Sequence, residues 1–312
     1  MKITLFTALC LIAALATARA DSTIVVAADG SGQFKTVQAA IDSVPADNKQ
    51  RVVITIKSGD YPDKVLVNRS FVTLRGEDRK KTRLCAAVDS SQKSAKHSWA
   101  TVEIDGANDV NFENLTVCNP FQTKRYAVAL SSINNATRLS FVDCDFASIG
   151  GDTVSPWSRG LYYFRNCRFE GRYHFFGPRG TSYVTDCQFW CLGSRISLFN
   201  EGIGAETDKL VIRNSTFDGP SAYGLGSYFR DAAWYFIDCT FSDKLSANGQ
   251  VFRDTKDKAG TGYASKWGEN RVYFAGCKGP PHPWLKDNLA ESPAKTKDTV
   301  TAKWTFGNWD PK

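Results

Sequence analysis

The chain has 312 residues, 42% hydrophobic and 12% aromatic, with a formal net charge of +7. That is apolar side chain enough for one large core, and it excludes a disordered or low-complexity polymer. No run of Lys and Arg is long enough to argue for nucleic acid, and mild positive charge fits an anionic partner or a merely soluble basic surface equally well.

Residues 1–20 stand apart. Lys2 precedes an apolar run from Ile3 to Leu15, and Ala18-Arg19-Ala20 supplies a small-residue cleavage site, so the segment reads as a secretory signal peptide. The run is too short to span a bilayer, and no later stretch is apolar enough. The expected product is a secreted or otherwise exported domain over residues 21–312, soluble, with no membrane anchor after cleavage and a charge of +5 once Lys2 and Arg19 are gone. Of nine cysteines, Cys10 leaves with the leader and eight remain, an even number that suggests disulfides in an exported chain. With three His, no CxxC and no His/Cys pairing, no metal site is expected.

Residues 24–45 run strand, Gly turn, helix, stop, with Thr36 as N-cap and Pro45 as the end. From Phe112 onward one frame returns: Phe112-Glu-Asn-Leu-Thr-Val117, Phe141-Val-Asp-Cys-Asp-Phe146, Phe164-Arg-Asn-Cys-Arg-Phe169, Val184-Thr-Asp-Cys-Gln-Phe189, Ile212-Arg-Asn-Ser-Thr-Phe217, Phe236-Ile-Asp-Cys-Thr-Phe241 and a degenerate Phe274-Ala-Gly-Cys-Lys-Gly279. The interval is roughly two to four dozen residues, the range of solenoids. Apolar residues alternate at period two inside each copy, so each is a short strand that buries its face only by stacking on the next. Copies this close leave too little chain for a propeller blade. The fold class is therefore all-β, a right-handed single-stranded parallel β-helix, with the short N-terminal helix capping its open end. The recurring Asn/Asp suits a turn and the recurring Cys a small interior column, which competes with disulfides as the role of Cys144, Cys167, Cys187, Cys239 and Cys277; Cys187 and Cys191 are too local to decide.

Asn68, Asn114, Asn135 and Asn214 begin N-x-S/T sequons, but Asn114 and Asn214 fall in the repeat's turn column, where structure alone explains them. Residues 244–266 are polar and Gly-rich, a long flanking loop. Residues 279–299 are expected to pack back along the solenoid before a terminal Trp-rich strand.

The N-terminal stretch resembles the opening signature of the pectin methylesterases (pectinesterases), exported carbohydrate esterases of β-helix fold. Further motifs follow in the family's order: Gly59-Asp-Tyr-Pro-Asp63, Leu74-Arg-Gly-Glu-Asp78, Ala127-Val-Ala-Leu130, Gly151-Asp-Thr153, Leu225-Gly226 and the end, Trp304-Thr-Phe-Gly-Asn-Trp-Asp-Pro311. The resemblance implies a cofactor-free, monomeric ester hydrolase acting on pectin (homogalacturonan) or a similar acidic polysaccharide. In the family one aspartate attacks the methyl ester, a second protonates methanol, an arginine orients the nucleophile and two glutamines hold the oxyanion.

Carried over position by position, this chain departs from that set. The first glutamine is Tyr126 and the second is Gly151; the acid survives as Asp152; the nucleophile position is His174; the arginine is Ser227, and the stacking tryptophan is Phe229. Four of five catalytic positions differ, and the family mechanism does not run unaltered. Three readings stay open. A polysaccharide-binding groove without catalysis would use Tyr126, Trp157, Tyr228 and Phe229 as sugar faces and Arg179 and Arg230 for carboxylates. A rebuilt esterase would use His174 as base or nucleophile, Asp152 to orient it or as acid, and Tyr126 or Arg179 at the oxyanion, with Ser227, His174 and Asp152 a triad in residue type. A structural module would use none of them. Single residues have plainer explanations too: Asp152 as a turn residue, His174 as a satisfied groove histidine, Trp157 and Trp190 as loop packing, His97 and His282 as surface.

Overall fold

The computed structural model describes residues 23–88, 100–122, 127–193, 196–200, 206–228, 232–253 and 271–311. The expected leader, residues 1–20, lies outside them, as does most of the expected 244–266 loop. Among the described residues every strand pairing is parallel, and the strands form long ribbons around one interior. A ten-stranded sheet runs from Thr23–Val26 to Val272–Ala275, and an eight-stranded one from Gly59–Tyr61 to Thr240–Phe241. The third face is divided between a four-stranded run ending at Val154–Pro156 and a three-stranded run beginning at Leu198–Asn200. This is the right-handed parallel β-helix that the repeat requires.

The repeat copies align in register. Phe112, Phe141, Phe164, Val184, Ile212, Phe236 and Phe274 pair one above another along the large sheet. Phe146, Phe169, Phe189, Phe217 and Phe241 do the same on the second sheet. The rings stack along each column, as at Phe141–Phe164 (4.7 Å between centroids) and Phe189–Phe217 (4.3 Å). Each fully buried ring contributes about 1.5–3 kcal/mol.

The polar position of the repeat forms a turn ladder. Asn114, Asp143, Asn166, Asp186, Asn214 and Asp238 all take positive φ, the left-handed conformation that Asn and Asp tolerate best. The degenerate copy places Gly276 there (φ 65°), where a Cβ would meet Asp238 Oδ1 at 2.3 Å. Each ladder N–H donates to the next coil, for example Asp143 N to Arg165 O at 3.0 Å. The small position behind it holds Cys144, Cys167, Cys187 and Cys239 as buried free thiols, with Cys277 half-buried, and Cys167 N donates to Cys187 Sγ. Cys85 and Cys118, cross-strand neighbours outside the interior column, form a disulfide that the repeat pattern did not single out.

The capping helix is Val37–Asp42; Thr36 Oγ1 accepts from Ala39 N at 3.2 Å, and Val37, Ala40 and Ile41 enter the core. It ends at Asp42, with Ser43 as C-cap, three residues before Pro45. The C-terminus differs from expectation. Ala302–Phe306 is a helix rather than a strand: Thr301 caps it by accepting from Trp304 N, and Gly307 ends it at φ 67°. This segment lies across the outside of the large sheet, with Phe306 on Tyr183, Trp304 on Tyr235 and Lys209 over the Trp304 ring.

Candidate active site

The third face loses its regular ladder at the coil that follows Val154–Pro156. That coil contributes only isolated bridges, Gly151 with Tyr173 and Val154 with Phe176, before Phe176 meets Leu198. The register sets Asp152 and His174 at equivalent points of successive coils, and both have left-handed backbone, φ 54° and 48°. Asp152 N donates to Tyr173 O, and His174 N to Ile196 O. The irregular backbone turns both side chains to one place: His174 Nδ1 lies 3.9 Å from Asp152 Oδ1, an ion-pair distance longer than a hydrogen bond.

The imidazole is held between rings, Tyr173 at 3.9 Å and Phe199 at 4.5 Å between centroids, and its Nε2 is shielded from solvent. Asp152 is almost wholly buried. Burial, which penalises the charged form, pushes its carboxyl up to about 6, against the lowering effects of the Ser155 hydroxyl and the Arg179 charge. Ser155 Oγ donates to Asp152 Oδ2 at 3.0 Å and accepts from Trp157 Nε1 at 3.1 Å. On the next coil the Arg179 guanidinium sits 4.1 Å from the Trp157 ring centroid, a cation–π contact. Trp157 is 44% exposed, Ile149 42% and Tyr173 40%; these are the exposed large apolar residues among those described, and Tyr173 stacks on the imidazole while Trp157 is linked to Asp152 through Ser155.

The structure therefore brings together Asp152, His174, Trp157 and Arg179. It does not bring Ser227 to them. Ser227 pairs with Phe199 in the three-stranded run, and it is the Phe199 ring that stacks on His174. The Ser227 hydroxyl is buried with no hydrogen-bond partner among the described residues, so the Ser–His–Asp triad is not assembled. Tyr228 is corrected as a sugar face: strand alternation turns it inward, and it is 4% exposed within the core. Tyr126, Phe229 and Arg230 lie outside the described residues. Ser155, Tyr173 and Phe199 were not anticipated as site residues. Ser155 occupies no motif position, Tyr173 is signalled only by adjoining His174 in the chain, and Phe199 is disclosed only by coil register. Among the described residues no group of His, Cys, Asp and Glu has the geometry to hold a metal ion.

A family model described as pectinesterase matches residues 23–201. The chain is 34% identical over 177 residues to probable pectinesterase 49 of Arabidopsis thaliana, covering 54% of this chain and 47% of that one. It is 27% identical over 219 residues to probable pectinesterase 67 of the same plant, covering 65% and 61%. The chain thus spans about half the length of the curated relatives it matches. Among solved structures, pectin methylesterase PemA from Erwinia chrysanthemi superposes with a TM-score of 0.75 at 22% identity over 95% of this chain and 99% of that one. A pectin methylesterase in complex with a hexasaccharide gives 0.75 at 23% identity, covering 93% and 98%. At these identities the likeness is one of fold.

Proposed function

The chain belongs to the pectinesterase family, and we propose that it is an exported single-domain protein that hydrolyses methyl esters of pectin or a similar acidic polysaccharide at a site rebuilt around Asp152 and His174. The observation that carries this is the 3.9 Å approach of these two side chains, which stand 22 positions apart in sequence and fall where the family keeps its acid and its nucleophile. In this reading Asp152 faces Nδ1–H of the imidazole and stabilises the positive charge that develops on it, and Nε2 takes a proton from water as the oxygen attacks the ester carbonyl. The imidazolium then returns that proton to the departing methoxide, giving methanol and a uronate. Arg179 beside Trp157 supplies positive charge for the developing oxyanion or for a neighbouring uronate, and the exposed Trp157 face suits a sugar ring.

A second reading is favoured by one observation, the closure of His174 Nε2 beneath its covering rings. A base closed off in this way, without the family's glutamines, would leave a groove that binds the polysaccharide through Trp157 and Arg179 and turns nothing over. Methanol release from highly methylated pectin, measured beside Asp152→Ala and His174→Ala, separates the two. Release lost by at least about a hundredfold in both variants is expected for the esterase. Retention on a pectin gel with no release from the unmodified protein would leave the binding reading standing alone. A limb in the rate profile near neutral pH is expected where His174 is the base.

A further inference from the structure

We propose that Ser155 is a positioning residue for the Asp152–His174 pair, coupling the indole of the exposed Trp157 to the orientation of the Asp152 carboxylate; the inference rests on reading that pair as the working centre of the site. An indole N–H only donates, so the 3.1 Å contact from Trp157 Nε1 makes Ser155 Oγ an acceptor there. The hydroxyl has one proton, and the remaining polar neighbour is Asp152 Oδ2 at 3.0 Å, so that proton is committed to the carboxylate. With Oδ2 held, rotation of the carboxylate is restrained and Oδ1 is left towards His174 Nδ1. Oδ1 itself is buried and has no hydrogen bond among the described residues, so nothing else there competes with the imidazole for it.

The chain of donors begins at the surface. Trp157 is 44% exposed, and the Arg179 guanidinium lies against its ring. Whatever presses on Trp157 presses on the ring whose N–H holds Ser155, which in turn holds the carboxylate. Among the described residues, the charged and titratable groups that face the pair are Arg179 from the following coil and Tyr173 stacked on the imidazole, while Phe199 stacks on the imidazole without charge. Ser155 donation also opposes the upward push of burial on Asp152. Removing it raises the Asp152 carboxyl further, leaves less negative charge beside the imidazole near neutral pH, and lowers the imidazole midpoint.

The test is an NMR titration of histidine side chains in isotopically labelled protein, with His174 assigned among three histidines by its loss in His174→Gln. Ser155→Ala is expected to lower the His174 midpoint by roughly half a pH unit or more, in the direction set by an Asp152→Asn reference. Ser155→Thr, which keeps the hydroxyl, is expected to restore it. Trp157→Phe, which keeps a ring and deletes the N–H, is expected to shift the midpoint the same way by less, and it carries the test if Ser155→Ala does not fold. An unchanged midpoint in a folded Ser155→Ala or Trp157→Phe protein overturns the proposal. Because the readout needs no turnover, shifts seen in a protein that releases no methanol would uphold Ser155 and sink the esterase reading alone.

Discussion

Asp152 costs the fold stability at the pH where a rebuilt esterase would use it. Its native carboxyl is pushed up to about 6 from an ordinary 3.8, so between these values the native state binds a proton that the unfolded chain has released. Its contribution is therefore fully present below about pH 4 and is lost as pH rises through about 6, to an extent on the order of 2–3 kcal/mol. Asp152→Asn is expected to raise the melting temperature at pH 7 and to leave it little changed at pH 4. Thermal melts of both proteins across that range check it, and a variant destabilised equally at both ends would show that burial of the charge is not the cost. This pair was half legible in the sequence. Motif order pointed to Asp152 directly, and the spacing from Cys167 and Cys187, which the fold keeps in register, pointed to His174. They could not find Ser155, whose role depends on where one hydroxyl points, nor exclude Tyr228, whose inward direction is fixed by strand phase. Ser227 failed as a triad member for a related reason: residue type survives in a sequence, but the ring of Phe199 lying between two coils does not show there.

The turn ladder shows what a repeat position does once it is stacked. Its occupants alternate amide and carboxylate, Asn114, Asp143, Asn166, Asp186, Asn214 and Asp238, so no two adjacent rungs carry like charge. Asn166 Nδ2 donates to Asp143 Oδ1 at 2.6 Å, and Asn214 Nδ2 reaches Asp186 Oδ1 at 3.4 Å; Lys297 Nζ neutralises the last carboxylate, Asp238, at 2.6 Å. Asn166→Asp keeps a residue that tolerates positive φ while placing three carboxylates in succession. The lost bond and the new repulsion together are expected to cost about 1–2 kcal/mol, partly recovered in high salt. Urea unfolding at low and high ionic strength checks this, and a salt-independent loss would argue that backbone conformation is responsible. The ladder and the phenylalanine columns were legible because they recur. The Cys85–Cys118 disulfide was not, since it joins one pair of neighbouring strands and nothing repeats it. The helix at Ala302–Phe306 was missed because its apolar residues are too few to show a helical period, whereas its Thr301 cap and Gly307 stop are evident only when the backbone is seen.

A solenoid is stabilised coil by coil, so its ends should open before its middle unless something ties the coils together. Here the C-terminal segment does so from outside. Arg213 reaches the carbonyls of Lys297 and Val300, Lys297 pairs with Asp238, and Phe306 packs on Tyr183. The strap therefore joins strands that a bare solenoid would let separate one at a time. The column of free thiols reports on this directly. Cys144, Cys167, Cys187 and Cys239 are buried, and burial pushes the neighbouring Cys191 thiol up to about 12, so an alkylating reagent reaches these sulfurs only when their coil opens. In native buffer, mass-resolved labelling is expected to modify half-buried Cys277 first and Cys144 last. Phe306→Ala, which loosens the strap where it meets Tyr183, is expected to speed labelling of Cys239 and Cys277 by about tenfold or more, corresponding to the 1.4 kcal/mol or more that losing a buried ring costs, while Cys144 keeps its rate. Equal acceleration at all these positions would mean that the helix opens as one unit and that the strap sets global stability. Acceleration confined to the last two would mean that the coils around Asp152 and His174 hold their geometry independently of the C-terminal end, as a site assembled from adjacent coils requires.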